Sequence, residues 1–168
     1  MNAVGKGLCN RRPNYNLPED LWHNVAEGLP MSTHRQIANW LGVRSARTEG
    51  QMLRIVEEQL PTSSINRLLA LGLTRQEIDA LVIPLRTLQH RRSKREKLTI
   101  EESDRVLRLA RLLSQAEIVY GSRQRALEWL RRPAARLKNR APLDLMRTDT
   151  GARIVEEFLV QIDEGMFV

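Results

Sequence analysis

The residues that could do chemistry in this sequence are few and widely separated. His23, His34 and His90 lie far apart and lack the spacing of a metal site. Cys9 is the only cysteine, which excludes an internal disulfide and favours a reducing compartment. The chain has no G-x-S-x-G, H-E-x-x-H or phosphate-loop motif. The sequence therefore predicts no catalytic residue, no metal and no cofactor, and it indicates a binding protein rather than an enzyme.

One stretch of the chain carries polar residues in a pattern that suits DNA binding. Thr74-x-x-Glu77 is a capping box, in which the hydroxyl and the carboxylate each satisfy a free backbone amide, and it predicts a helix over 75–82. Pro84 interrupts that helix, and a second helix is predicted to run to about residue 92. In a helix-turn-helix, the second helix enters the major groove. The predicted DNA-binding residues are Arg86, Thr87, Gln89, His90, Arg91, Arg92, Lys94 and Arg95.

The charge balance favours a polyanionic partner without proving one. The chain has 27 Lys and Arg against 20 Asp and Glu, which gives a net charge of +7 and a pI of about 10.4. Such an excess is typical of nucleic-acid binding, but basic proteins also bind acidic proteins. The alternative for the two-helix segment is a solvated hairpin that only packs the core. Arg105, Arg108 and Arg111 repeat every three residues, and we interpret them as a solvated helix face rather than a row of phosphate contacts.

The elements that must position these residues are all predicted to be helices. Hydrophobic residues make up 42% of the chain but aromatic residues only 4%, and β-branched runs are nearly absent, which favours helix over sheet. Thr99-x-x-Glu102 is a second capping box, which opens a long helix to about residue 119. Residues 1–17 are expected to form an arm. Ser32 or Thr33 is predicted to cap a helix that ends at residue 41. Further helices are predicted over 18–27 and over about 46–59, 65–71, 123–130, 142–145 and 150–164.

Apolar residues at helical spacing predict the buried faces of three of these helices. No run of about 18 apolar residues occurs, and the N-terminal residues lack the pattern of a secretory leader, so we expect a cytoplasmic protein with no membrane span. The predicted faces are Met52, Leu53, Val56 and Leu60 in one helix; Val106, Leu109, Leu112, Leu113 and Ala116 in the long helix; and Ile154, Val155, Phe158, Leu159 and Ile162 in the last.

An apolar tail follows the last predicted helix. Gly165 suits the position just after a helix C-terminus, and Met166, Phe167 and Val168 come next. The tail could fold back onto Phe158 in the core, or it could fill a pocket of a partner protein. The sequence leaves both readings open.

Several motifs together resemble one family. Residues 73–78, 85–91 and 98–110 resemble the helix-turn-helix part of the Xre/MbcA/ParS-type antitoxins. The resemblance covers about residues 64–168. It departs from the family where a turn glycine is usual, because residues 137–142 contain none, although Asn139 could adopt the left-handed conformation. The runs that resemble the family's toxin-binding domain are 126–133, 141–146, 148–155 and 162–167.

The resemblance implies an all-α antitoxin with a helix-turn-helix-like middle and a small helical C-terminal toxin-binding domain. The resemblance implies a helix-turn-helix domain over 61–120 and a toxin-binding domain over 121–168. Residues 1–60 carry little resemblance, and we expect an N-terminal arm and helices there, with dimerisation as one possible role. Such antitoxins inhibit RES-domain toxins, which consume NAD, by covering the toxin active site. They also bind the promoter of their own operon and tend to form dimers. The implied toxin-binding residues are Arg153, Glu157, Gln161, Gly165, Met166, Phe167 and Val168.

Two other functions fit the same residues. A stand-alone helix-turn-helix regulator would bind DNA but no toxin. An adaptor that organises the cell pole or the chromosome would share the family resemblance but have a different partner. A tight complex with the product of a neighbouring gene would distinguish the antitoxin from the regulator.

Overall fold

A computed structural model describes residues 31–166, and these residues are all-α, as the sequence predicts. The predicted arm over 1–17, the helix over 18–27 and the tail residues Phe167 and Val168 lie outside the described residues. No helix in the described part is both long and apolar enough to cross a bilayer. The helices are α1 (Met31–Leu41), α2 (Glu49–Glu57), α3 (Ser63–Ala70), α4 (Arg75–Leu81), α5 (Leu85–Ser93), α6 (Ile100–Tyr120), α7 (Arg123–Arg131), α8 (Pro142–Leu145) and α9 (Asp149–Asp163).

The long helix α6 forms the centre of the structure. It packs against α1, α2 and α3 as well as against α7 and α9. Its predicted apolar face is confirmed, because all five of its members are buried. Each buried valine or leucine side chain contributes roughly 1.5–3 kcal/mol by leaving water, so α6 supplies a large share of the core. The five residues are Val106, Leu109, Leu112, Leu113 and Ala116.

Capping residues fix where the helices begin, as the sequence predicts. The hydroxyl of Thr74 accepts a hydrogen bond from the backbone of Glu77, and the Glu77 carboxylate accepts one from the Thr74 N–H at 2.7 Å. Thr99 and Glu102 repeat this capping box at the start of α6. Ser122 caps α7 through its hydroxyl alone, which accepts a hydrogen bond from the N–H of Arg125. Each cap of this kind stabilises a helix by about 1 kcal/mol.

Two predicted apolar faces include one residue too many. Leu53 of α2 is 57% exposed and Ile154 of α9 is 45% exposed. In α2 the buried stripe is centred on Met52 and Val56, which are four residues apart, so Leu53 is rotated about 100° from Met52 toward solvent. The same rotation carries Ile154 away from the buried Val155.

Two predicted helix starts are also wrong. α2 begins at Glu49 rather than near residue 46, because the Thr48 hydroxyl accepts from the Gln51 N–H and so fixes the helix start there. α1 extends back to Met31, so neither Ser32 nor Thr33 is its cap. The prediction for Asn139 is confirmed, because its φ is +58°.

Gly151 allows α9 to pack closely against the end of α8. A methyl group at this position would lie 2.0 Å from the backbone oxygen of Leu145 and 2.9 Å from Oγ1 of Thr148. The first contact involves backbone and cannot be relieved by a side-chain rotation. The glycine in the motif Thr148-Asp149-Thr150-Gly151 therefore sets how α8 and α9 meet.

Gly151→Ala should lower the free energy of unfolding by about 1–3 kcal/mol, because the added methyl group forces the two helices apart. Urea denaturation followed by circular dichroism measures this loss. The matched control is Gly50→Ala in α2, where a methyl group would meet nothing within 4 Å and should raise stability by up to about 1 kcal/mol. Equal stability of the two variants would contradict the proposed role of Gly151.

Candidate DNA-binding and toxin-binding surfaces

The two helices predicted to form the helix-turn-helix pack as a hairpin. Four apolar residues of this segment are buried. The turn between the helices is fixed by the carboxylate of Asp79, which accepts a hydrogen bond of 2.8 Å from the N–H of Leu85. The second helix is therefore held in one orientation by its first residue. The four apolar residues are Ile78, Leu81, Ile83 and Leu88.

The outer face of α5 and the turn after it are basic and open to solvent. α5 contains no acidic residue. Thr87 is partly buried, and most of the other predicted DNA-binding residues are exposed. Cationic and amide side chains on one helix face can reach both phosphates and base edges. The exposed members are Arg86, Gln89, His90, Arg92, Lys94 and Arg95.

Arg91 and Arg92 already have contacts within the chain. The Nε of Arg91 lies 3.0 Å from Oε2 of Glu102, and its Nη1 lies 3.4 Å from Oε2 of Glu96. The first ion pair joins α5 to α6, and the Arg91 side chain is only 20% exposed. Arg92 donates a 2.7 Å hydrogen bond to the side chain of Asn66. These contacts hold α5 in place, and the predicted roles of both residues in DNA binding stay predictions.

The three arginines that repeat along α6 are bound to other parts of the chain rather than simply solvated. Arg105 donates a 3.1 Å hydrogen bond to the carbonyl oxygen of Val82. Arg108 forms an ion pair with Asp104, and Arg111 forms one with Glu49 of α2. The interpretation as a solvated face therefore overlooked these contacts. The pair of Arg108 with Asp104 is local, one turn apart on α6, whereas the partners of Arg105 and Arg111 are distant in sequence and produce no local pattern.

The histidines differ in their surroundings. His34 is buried, and its Nε2 lies 2.8 Å from Oε1 of Glu49. Burial raises the pKa of Glu49, but hydrogen bonds and charge from His34 and Arg111 outweigh it and lower the pKa overall. His34 thus links α1 to α2. His90 is exposed on α5, and His23 lies outside the described residues.

The last helix presents the residues predicted to bind a toxin. Arg153 and Glu157 are exposed, and Gln161 is half-buried. Arg153 lies 3.2 Å from Asp149 one turn earlier, an exposed pair that contributes little to stability. The exposed Ile154 lies beside Arg153 and belongs to this surface, although the sequence pattern placed it in the core.

The end of α9 fixes the start of the apolar tail. Gly165 has a φ of +68°, its N–H donates to the carbonyl of Ile162, and the N–H of Met166 donates to the carbonyl of Gln161. This pair of hydrogen bonds is a Schellman motif. The side chain of Met166 is 57% exposed, so it does not fold back into the core.

Aromatic residues attach α9 to the rest of the structure. The ring of Trp129 in α7 lies 5.4 Å from that of Tyr120 and 6.0 Å from that of Phe158, between ring centroids. Burial raises the pKa of Tyr120 to about 12, so this residue stays uncharged at neutral pH. The cluster therefore holds α9 against α6 and α7 and leaves its other face open.

A charged groove of about 380 Å³ lies beside the contact between α9 and α6 and is lined by residues of both helices. Burial, followed by repulsion from Asp149, raises the pKa of Glu156 in this groove, although nearby arginines oppose the change. The sequence analysis missed the groove, because its walls come from residues about 45 positions apart. In the part of the chain that the structure describes, no three potential ligands converge as a metal site. The lining residues are Asp104, Leu107, Arg108, Arg111, Asp149, Ala152, Arg153 and Glu156.

Models of known protein families match two regions of the chain. Residues 51–111 match the antitoxin Xre-like helix-turn-helix domain, and residues 115–165 match the antitoxin Xre/MbcA/ParS C-terminal toxin-binding domain. The chain carries the two domains of the Xre/MbcA/ParS antitoxins, one after the other. The helices α4 and α5 lie in the first match, and α7, α8 and α9 lie in the second. The resemblance of the motifs to this family is confirmed.

Curated relatives carry the same family name. The chain is 42% identical over 84 residues to an antitoxin Xre of Pseudomonas putida, and 34% identical over 86 residues to one of Yersinia enterocolitica. These matches cover 50% and 51% of this chain, and they span 53% and 58% of the two relatives. A third relative, a Prs ADP-ribosylating antitoxin of Sphingobium sp., is 28% identical over 124 residues, which are 67% of this chain and 78% of the relative.

The two matched regions of the chain meet at an ion pair between α7 and α4. The Nε of Arg131 lies 2.7 Å from Oε1 of Glu77, and its Nη2 donates a 2.8 Å hydrogen bond to the carbonyl of Gly72. Partial burial raises the pKa of Glu77, but the hydrogen bonds from Arg131 and Thr74 outweigh it and lower the pKa overall. Glu77 thus caps α4 and anchors α7 through one carboxylate.

Glu77→Gln should lower the melting temperature at pH 7, because it removes the charge that binds Arg131 and weakens the capping box. Since the folded-state pKa of Glu77 is lowered, the carboxylate stabilises the fold above its unfolded pKa and loses this effect as the pH falls through the folded-state value. The difference between variant and wild type should therefore shrink below about pH 4. Thermal unfolding at pH 7 and pH 3.5 measures both effects.

The control for this prediction is Glu157→Gln, which removes an exposed carboxylate that has no ion pair among the described residues. It should change the melting temperature by far less at either pH. A Glu77→Gln effect that is independent of pH would contradict the electrostatic role of this carboxylate.

Proposed function

We propose that this protein is the antitoxin of a type II toxin-antitoxin pair, and that it inhibits a RES-domain toxin by covering the toxin active site. The observation that carries the proposal is the match of residues 115–165 to a toxin-binding domain, in which α9 exposes Ile154 and ends in a fixed turn before Met166. In the pair that we propose, the chemistry belongs to the toxin. We propose no enzymatic activity and no cofactor for the antitoxin itself.

The mechanism that we propose is steric exclusion. An aliphatic residue flanked by charged ones on one helix face can pack against an apolar rim, while Arg153 and Glu157 form hydrogen bonds around it. The tail then extends from Gly165 toward the toxin's pocket, and Met166 to Val168 would exclude NAD from it. Apolar side chains that fill a pocket contribute most of the affinity in such interfaces.

We also propose that the protein binds the promoter of its own operon through α5. The exposed cations of α5 and of the turn after it support this, together with the match of residues 51–111 to an Xre-like helix-turn-helix domain. A dimer would place two α5 helices on successive major grooves. Both proposed partners belong to the cytoplasm, and we expect the protein to act there. The alternative is a stand-alone transcriptional regulator, which would bind DNA without forming a complex with a toxin.

Deletion of Met166 to Val168 should weaken toxin neutralisation and leave the fold and DNA binding intact. The deletion removes one hydrogen bond of the Schellman turn, from the Met166 N–H to the Gln161 carbonyl, and leaves the bond from the Gly165 N–H to Ile162 and those within α9. The measurements are cellular NAD and growth when a cognate RES toxin is co-expressed with each form. Full protection by the truncated protein would show that the tail is not needed.

Arg86→Ala combined with His90→Ala should weaken promoter binding by tenfold or more, because each exposed side chain on the groove-facing helix contributes about 1–3 kcal/mol. The same double variant should neutralise the toxin as well as wild type does. Fluorescence anisotropy with promoter duplex measures the first effect, and the NAD assay measures the second. The tail deletion serves as the reciprocal control, and loss of both activities in either variant would contradict two separate surfaces.

A further inference from the structure

The C-terminal region divides into two segments of opposite charge. Residues 123–147 contain eight basic and two acidic residues, a net charge of +6, which is most of the excess of the whole chain. Residues 148–166 contain one basic and five acidic residues, a net charge of −4. We call residues 123–147 the C-terminal basic segment. A family match to toxin binding does not explain why one part of the domain is strongly cationic and the next is anionic.

Several cations of the basic segment have no ionic partner in the described structure. Arg125, Arg132, Lys138 and Arg147 are exposed, and no described carboxylate lies within 4 Å of any of them. Arg131 differs, since it binds Glu77. Exposed like charges at this density repel one another, so an arrangement without internal partners suits an external polyanion.

The centre of the segment is a tight turn that is held in an uncommon backbone conformation. Lys138 and Asn139 have φ values of +56° and +58°, in the left-handed region that residues other than glycine rarely adopt. The N–H of Ala134 donates to the carbonyl of Arg140 at 3.2 Å, and the N–H of Asn139 donates back to Ala134 at 3.0 Å. The buried Leu137 anchors the turn. Lys138 is thus presented from a fixed backbone rather than from a flexible loop.

The same segment is attached to the helix-turn-helix. Arg131 binds the carbonyl of Gly72, which lies just before α4, and the carboxylate of Glu77, which lies in the first turn of α4. Arg132 is the next residue, and the turn at Ala134 begins at most about 10 Å further along the chain. In a helix-turn-helix, the first helix crosses the DNA backbone beside the major groove. The basic segment therefore begins beside the N-terminus of α4, the helix that would cross the DNA backbone.

We propose that the C-terminal basic segment is a second DNA-binding element, which contacts backbone phosphates next to the site read by α5, with Arg132, Lys138 and Arg147 as phosphate contacts. This inference rests on the proposed DNA-binding function. The acidic α9 would be repelled from the same duplex, which leaves its exposed face to the protein partner. Phosphate contacts carry no sequence information, so the segment adds affinity and orientation without changing which bases are read.

The test compares the full-length wild type with the triple variant Arg132→Ser, Lys138→Ser and Arg147→Ser. The probes are a duplex from the promoter upstream of this gene and an unrelated duplex of equal length, each at four salt concentrations. The slope of log affinity against log salt falls by about 0.9 for each phosphate contact that is lost. We expect the slope to fall by about 2 to 3 and the affinity at 0.1 M salt to drop more than tenfold for both duplexes.

The control variant removes the same charge elsewhere, by Arg35→Ser in α1, Arg44→Ser in the segment after it and Arg54→Ser in α2, all at exposed positions. It should change the slope by less than one, and thermal unfolding should show that both triple variants are folded. A wild-type slope and affinity in the basic-segment variant would overturn the inference. An unchanged slope together with loss of toxin binding would also overturn it, because the segment would then bind an acidic surface of the toxin rather than DNA. Failure of wild type to bind the promoter duplex at all would instead reject the proposed function of α5.

Discussion

Burial of α6 on several sides is the constraint on which the rest of the structure depends. A helix of 21 residues is about 30 Å long, and here it is covered by the N-terminal helices along one side and by α7 and α9 along another. Its N-terminal half lies in the match to the helix-turn-helix domain, and its C-terminal residues lie in the match to the toxin-binding domain. The two proposed binding surfaces are therefore built on one continuous core element rather than on two cores joined by a linker.

Ion pairs between helices fix how the helices are oriented, which apolar packing alone does not specify. Arg91, Arg111 and Arg131 each join two helices through a carboxylate, and each is partly shielded from solvent. A pair of this kind adds direction to an otherwise uniform apolar contact, because charged hydrogen bonds have preferred angles. The arginine-rich composition thus serves two purposes. Some guanidinium groups hold the helices in register, and others remain available to a partner.

The local signals in the sequence predicted the elements well. The capping boxes at Thr74 and Thr99 and the glycine after α9 fixed helix ends correctly, because each depends on residues within one turn of one another. The errors at Leu53 and Ile154 have a common cause. An apolar residue next to a buried stripe looks like part of the stripe, and only the packing partner decides which side of it is covered.

The candidate surfaces were less predictable than the fold. The composition of α5 indicated its exposed cations, but the contacts of Arg91 and Arg105 with other helices left no trace in the local pattern. The groove beside Glu156 likewise joins helices that are distant in sequence. Contacts between distant residues depend on how the helices pack, and periodicity within one helix carries no information about them.

Because both proposed surfaces rest on α6, loss of this helix would affect DNA binding and toxin inhibition together. If α5 and α9 act as proposed, a substitution that unfolds α6 should abolish both activities, since both surfaces unfold in the same cooperative step. Proteolysis of the unfolded chain would then end promoter occupancy and toxin inhibition together. Toxin inhibition would then end at the moment when transcription of new antitoxin begins. Recovery of the cell would depend on how fast the antitoxin is made again compared with the lifetime of the free toxin.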